Sequence, residues 1–171
     1  IAVFARKTGS TSSGTEIQVG LQAHDDETFL VAHRDSCHVF WASTAITLAN
    51  LLEHLATKGI DAVEIIGAAD SAATTTLMCL VSPDDIHDEA ACFANLPPGC
   101  RRGEPVGTVS WRQPRSCAGD VLSRIIDATE DQNIAVTALS RRATWTTIVV
   151  VPERVPETVV LVHNALVGAS K

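Results

Sequence analysis

Two stretches of this chain follow nearly the same order, and any fold proposed for it must accommodate both. Val39 to Leu96 is echoed from Val109 to Leu166, each reading strand, helix, strand, strand, helix. Trp41 and Trp111 end the first strand of each copy, Ile60 and Ile134 open the second, and Pro83 and Pro152 close the third. An internal repeat decides domain count before any other feature is weighed. This one recurs only once, so it indicates a duplicated domain and not a solenoid.

A length of 171 residues suits two small domains. Hydrophobic residues make up 46 % of the chain, but it has only three tryptophans, four phenylalanines and no tyrosine. The cores must therefore be aliphatic, which suits strands and helices packed in layers.

Net charge and cysteine usage narrow the partners and the compartment. A charge of −7 and a pI near 5.2 argue against nucleic acid, because phosphate contacts need clustered Lys and Arg. The small groups Arg101–Arg102, Arg112 with Arg115, and Arg141–Arg142 sit beside predicted turns and read as solvated loops. Five cysteines, an odd number without a Cys-x-x-Cys pair, fit a reduced, cytoplasmic compartment. Cys79 on an apolar strand and Cys92 on a helix read as small buried hydrophobes. Signal-peptide and membrane-spanning patterns are missing, and the chain is expected to be a piece of a longer soluble protein.

Read in order, Ile1 to Arg6 is a short strand and Lys7 to Gly14 a polar linker or loop. Thr15 to Ala23 alternates as a half-buried strand. Thr28 to Ala32 and His38 to Ala42 are predicted to form a hairpin around His33 to Cys37. Leu48, Leu51, Leu52 and Leu55 form one helical face, ended by Gly59. Strands follow at Ile60 to Ile66 and Thr75 to Val81, joined by a turn from Gly67 to Ala73. Ser82, Pro83 and Asp85 then give a helix start signal, with Ile86, Ala90 and Phe93 as the apolar stripe. In the second copy Leu122, Ile125, Ile126 and Thr129 mark the first helix, and Ile134 to Leu139 and Thr146 to Val151 the strands. Val155, Val159, Val162, His163 and Leu166 mark the last helix, with His163 as a packing residue at its edge.

Amphipathic helices separated by strand pairs are the pattern of a ferredoxin-like (βαββαβ) α+β sandwich. Each copy needs a fourth strand. Gly99 to Pro105 is the candidate after the first copy, whereas Val167 to Lys171 is too short to serve the second. Thr15 to Ala23 is then predicted to close the second sheet, which nests the first copy inside the second.

This organisation resembles the C-terminal regulatory region of aspartate kinase, with tandem ACT domains, the first inserted into the second. The resemblance is carried by Gly14, Thr15 and Ile17 in Ile1 to Ile17, by Gly59-Ile60-Asp61 and Asn133-Ile134 opening second strands, by Thr74-Thr75 with Pro83-Asp84-Asp85, and by Glu157 to Leu166. It implies residues 1–14 as the end of a kinase-like segment and linker, residues 28–105 as the first ACT domain, and residues 15–27 plus 106–171 as the second. It further implies allosteric feedback control of lysine, threonine and methionine biosynthesis by a small amino-acid effector of the lysine or threonine class. The implied assembly is a homodimer through the ACT domains, with a kinase domain in cis. The parent would be an ATP-dependent phosphotransferase acting on L-aspartate, and the fragment itself non-catalytic and without cofactor or membrane partner.

Mapped onto this chain, the effector site would comprise Ser43, Thr44, Ala45, Ile46 and Thr47 before the first helix, Gly67 and Ala68 on the facing strand end, and Asn133, Ile134 and Thr137 on the partner surface. Helix-start amides would hold the ligand carboxylate. The family's Asp-Lys-Pro-Gly loop falls on Ser43 to Ile46, and its Gln-Asn pair falls on Gly67 and Ala68, which offer no side-chain amides. A degraded or altered effector site is therefore expected, the alternative being an effector-insensitive structural dimerisation module. A small enzyme on this fold has little support: the six histidines show no metal-ligand spacing, phosphate loops are missing, and His24 to Glu27 reads as a solvated turn. An RNA-binding domain would need paired aromatics and basic charge that this chain lacks.

Overall fold

The computed structural model describes residues 17–19, 29–69, 75–112, 120–142 and 145–168. In chain order the described elements are β1 (Ile17–Val19), β2 (Phe29–Ala42), α1 (Ala45–Ala56), β3 (Ala62–Ala69), β4 (Thr75–Val81), α2 (Glu89–Phe93), β5 (Cys100–Arg102), β6 (Val106–Arg112), α3 (Asp120–Asp131), β7 (Ala138–Arg142), β8 (Trp145–Val150) and α4 (Val155–Gly168). The chain divides into a contiguous unit, Ser36–Val106, and a split unit made of Ile1–Asp35 with Gly107–Lys171. The division falls within β2, at Asp35–Ser36, later in the chain than the boundary at residues 27 and 28 that the sequence suggests. The expectations for residues 1–14, His24 to Glu27 and Arg115 lie outside the described residues.

In the contiguous unit the antiparallel strand order is β3-β4-β2-β5. Leu51 and Leu55 of α1 and Cys92 of α2 pack with Phe40, Cys79 and Val81 of the strands, so both helices cover one face of the sheet. Gly99 to Pro105 does supply the fourth strand, β5. The second helix is shorter than its sequence signal suggests. Ser82 and Pro83 start only a 3-10 turn, Pro83–Asp85, in which Ser82 accepts from the Asp84 amide. Helix α2 then begins separately, capped by Asp88, and lasts five residues.

In the split unit β7, β8 and β6 lie side by side, with β2 beyond β6 and β1 paired to β2. Ile17–Val19, the described part of the predicted strand Thr15 to Ala23, therefore does not lie next to β6. The position is taken by the start of β2, and Ile17–Val19 pairs outside it against Phe29–Val31. Gly107 makes the close approach possible, because a Cβ there would lie 3.3 Å from the Arg34 carbonyl and 3.2 Å from that of Asp35. The predicted hairpin at His33 to Cys37 is instead part of one continuous strand. That stretch contains no Gly or Pro to reverse the chain, and polarity alone does not make a turn. Val31, Val109, Trp111, Ile125, Ile148, Val155, Val162 and Leu166 are fully buried together as the core.

The tryptophans that mark the repeat are not equivalent. With Val81 and Val150 taken as matching positions two residues before Pro83 and Pro152, Val81 pairs with His38 and Val150 with Gly107. Counting along those ladders sets Ala42, opposite Leu77, against Trp111, opposite Thr146. Trp111 is buried under helices, whereas Trp41 is next to Phe40 and points to the other face. A one-residue offset in a strand exchanges the faces. Both copies stop their first helix in the same way, however. Gly59 (φ 71°) and Asn133 (φ 52°) are left-handed, and the next amides, of Ile60 and Ile134, return to the Leu55 and Thr129 carbonyls.

Candidate functional site

The loop from β2 into α1 and the first turn of α1 carry five of the sequence-predicted site residues, Ser43 to Thr47. Thr44 is extended and caps α1 with a reciprocal pair of bonds. Its hydroxyl accepts from the Thr47 amide at 3.1 Å, and Thr47 Oγ1 accepts from the Thr44 amide at 2.8 Å. The Thr47 hydroxyl also donates to the Thr44 carbonyl at 2.8 Å. A capping box normally uses Glu or Gln at the third helical position. Threonine does the same here at shorter reach, so the two side chains occupy one another. Ile46 stands out into solvent, 76 % exposed.

Turn Gly99 closes over this helix start. The Ser43 amide donates to the Gly99 carbonyl at 3.3 Å, and Cys100 Sγ donates to the Thr47 carbonyl at 3.4 Å. Gly99 has φ 83°, and a Cβ there would stand 2.8 Å from Thr47 Cγ2 and 3.1 Å from Ser43 Oγ. Glycine is needed on both counts.

Strand register places Gly67 and Ala68 at the same end of the sheet. Ala42 pairs with Leu77 and Leu77 with Gly67, while Ala68 pairs with Thr76. Both residues belong to β3 and not to a turn, because the strand runs on to Ala69. A pocket of about 300 Å3 opens at this end, lined by Trp41, Ser43, Thr76, Gly99, Cys100 and Arg101. Asn133, Ile134 and Thr137 belong to the split unit. The Ile134 side chain is buried in its core, and the Thr137 hydroxyl donates to the Val149 carbonyl at 3.2 Å. Of these three, the Asn133 side chain is exposed without such engagement.

Arg101 and Arg102 lie on β5 and not in a solvated loop, and they act on opposite faces. The Arg101 guanidinium lies 5.2 Å from the centroid of Trp41, its direct partner across β2 and β5. Arg102 stacks 4.0 Å from the Phe93 ring and pairs with Glu89 at 3.7 Å. Arg141 and Arg142 are likewise paired strand residues, opposite Thr146 and Trp145.

Sequence reading missed the cluster around His38. Its Nε2 faces Glu89 Oε1 at 3.4 Å and its Nδ1 faces Arg102 Nη2 at 3.4 Å, with the Phe93 ring edge-on at 5.3 Å. A guanidinium only donates, so Nδ1 is the acceptor and the neutral ring carries its proton on Nε2 toward Glu89. Burial lowers the His38 pKa, and Arg102 adds to that while Glu89 opposes it. His38, Glu89 and Arg102 are far apart in the chain, so only the alternation of β2 and β5 hinted at their meeting. Among the described residues no group of three His, Cys, Asp or Glu side chains forms a metal site, and no helix is long and apolar enough to cross a membrane.

No family model and no curated protein sequence matches the chain. Solved structures do. The regulatory subunit of aspartate kinase from Thermus flavus superposes with a TM-score of 0.62 at 14 % identity, covering 79 % of this chain and 95 % of that one. The fold is that of the aspartate kinase regulatory region. Aspartate kinase from Clostridium acetobutylicum gives a TM-score of 0.67 at 10 % identity over 81 % of this chain, but only 34 % of its own length. E. coli aspartokinase III in complex with lysine and aspartate gives 0.59 at 14 % identity, over 80 % of this chain and 32 % of that one. The chain thus spans nearly all of a separate regulatory subunit and about a third of the complete kinases.

Proposed function

We propose that this chain is the amino-acid-sensing region of an aspartate-kinase-like protein, with two ferredoxin-like ACT domains, one inserted in the other, and an altered effector site. The observation that carries this reading is the extent of the likeness, which takes in 95 % of a regulatory subunit. The strand order β3-β4-β2-β5 and the split of one unit around the other support the nested arrangement. In the proposal the catalytic kinase domain lies in cis and phosphorylates L-aspartate, ACT domains pair two chains, and the protein works in the cytoplasm. An effector bound between ACT domains acts by its different affinity for the active and inactive states.

The effector differs from lysine and threonine in this reading. Ser43 to Thr47 presents a self-satisfied threonine pair, and Gly67 and Ala68 bring no side-chain hydrogen bonds. Each missing hydrogen bond of that kind forgoes about 0.5–1.5 kcal/mol. A second reading, a structural dimerisation module, is favoured by the closure of Gly99 over the helix start.

A thermal-shift screen of the twenty amino acids separates the readings. A working sensor gains stability with one of them as RT ln(1 + [L]/Kd). A flat response to all twenty identifies the structural module, and micromolar binding of lysine or threonine by calorimetry refutes the altered site.

A further inference from the structure

We infer that Arg101, laid on Trp41, anchors the carboxylate of a small ligand whose side chain carries no positive charge. This rests on the sensing reading above and names the ligand class for its pocket.

Arg101 stands directly opposite Trp41 across two paired strands, with its guanidinium 5.2 Å from the ring centroid. Among the described residues no hydrogen bond or ion pair engages the guanidinium N–H donors, which leaves them available. Those donors form the fork that matches a carboxylate in bidentate fashion. The platform beneath is itself seated. A Cβ at Gly103 would fall 2.5 Å from Trp41 Nε1, so only glycine lets the indole lie there, and the Gly103 amide is tied to the Val39 carbonyl at 2.8 Å.

Charge separates Arg101 from its neighbour on β5, because Arg102 has Glu89 at 3.7 Å. Arg101 has no carboxylate partner among the described residues, in a chain with a net charge of −7. A guanidinium held over an indole beside a pocket, with no carboxylate partner among the described residues, suits an incoming anion. The usual alternative, the amides of the first helical turn, is weakened here because Thr44 already holds the Thr47 amide.

The pocket sets the rest of the ligand. Its volume of about 300 Å3 stands at the lower end of small-molecule sites, roughly 300–1,000 Å3, which suits an amino acid better than a nucleotide. Among the described lining residues Arg101 alone is charged, the others being Trp41, Ala42, Ser43, Thr76, Gly99 and Cys100. A lysine ammonium placed here would find no counter-charge among the described lining residues and would meet Arg101 instead. Apolar side chains would meet the indole, and acidic ones the guanidinium.

The test uses the full chain. Each of the twenty amino acids is screened by thermal shift, and the best responder is titrated calorimetrically against the native protein and the R101Q and R101K variants. The expected responder lacks a cationic side chain, and R101Q weakens it by at least about tenfold, with the ligand-free melting temperature lowered by no more than a few degrees through loss of one exposed cation–π contact. R101K also weakens it, because an ammonium keeps the charge and loses the fork. A cationic best responder, or binding that R101Q and R101K leave intact, overturns the assignment while the sensing reading stands. No response from any amino acid overturns both.

Discussion

Gly99 shows how one position can hold a helix start closed. Its left-handed φ and the 2.8 Å approach to Thr47 both exclude a side chain. Gly99→Ala should cost about 1–2 kcal/mol for the backbone, with overpacking in addition, read as a lower urea midpoint at unchanged slope. Thr44→Ala should cost about 1 kcal/mol through loss of the cap. Thiol chemistry gives a second residue-scale test. Burial pushes the Cys79 thiol up to about 11, with the nearby Cys100 adding to it. At pH 8 roughly one molecule in a thousand then carries the thiolate, so Cys79 should resist iodoacetamide in the native state and react on unfolding. The buried-hydrophobe role of Cys79 and Cys92 was legible from their apolar neighbours. The faces of Trp41 and Trp111 were not, because two strands of similar composition can be matched one residue out of phase with no visible penalty in the letters. Arg101 was unreadable for the same reason: its role depends on which side of β5 it occupies.

Helix ends were legible because the chemistry that stops a helix is local. Gly59 and Asn133 hold the same left-handed place in the two copies, and nothing lies within 4 Å of a Cβ added at Gly59. Gly59→Ala should therefore cost about 1–2 kcal/mol of purely conformational origin, while Asn133→Gly should be neutral or stabilise by up to about 1 kcal/mol. Opposite signs in thermal denaturation would confirm the shared role; equal losses would refute it. Helix α2 was over-read because its start signal is consumed by the 3-10 turn. With only five residues, it depends on side chains for its seat: Phe93 lies against Arg102 and Phe40, and Glu89 bridges to His38 and Arg102. That dependence has a pH sign. The His38 pKa is lowered in the folded state, chiefly by burial, so the unfolded chain binds the proton first. Stability is then complete above the unfolded value of about 6.5 and declines as pH falls through it toward the lower folded value. Protonation also turns Nδ1 into a donor facing the donor of Arg102. His38→Asn should flatten the fall in Tm between pH 7 and 5. Glu89→Gln removes the one group that favours the proton, so it should extend that fall to lower pH.

At the scale of the whole molecule, the repeat in the sequence suggested two domains, and the structure divides into two units. Which strand borders β6 was not deducible, since β1 and the start of β2 are both apolar and both precede the first copy. The resulting asymmetry predicts how the pieces behave. A fragment Ser36–Val106 contains every strand and helix of its own core and should unfold cooperatively by itself. A fragment from Gly107 onward lacks Val31 and the strand that carries it. It should bind a hydrophobic dye and show no cooperative transition until a peptide covering β2 is added. The same asymmetry imposes an order in time on a ribosome. The contiguous unit is complete once Val106 has emerged, whereas Val31 and its strand, made earlier, have no core to join until β6, β8 and α4 have followed. This early segment of β2 is thus among the last to be buried, and a chaperone that shields extended apolar segments would have its longest engagement at Leu30 to Ala32.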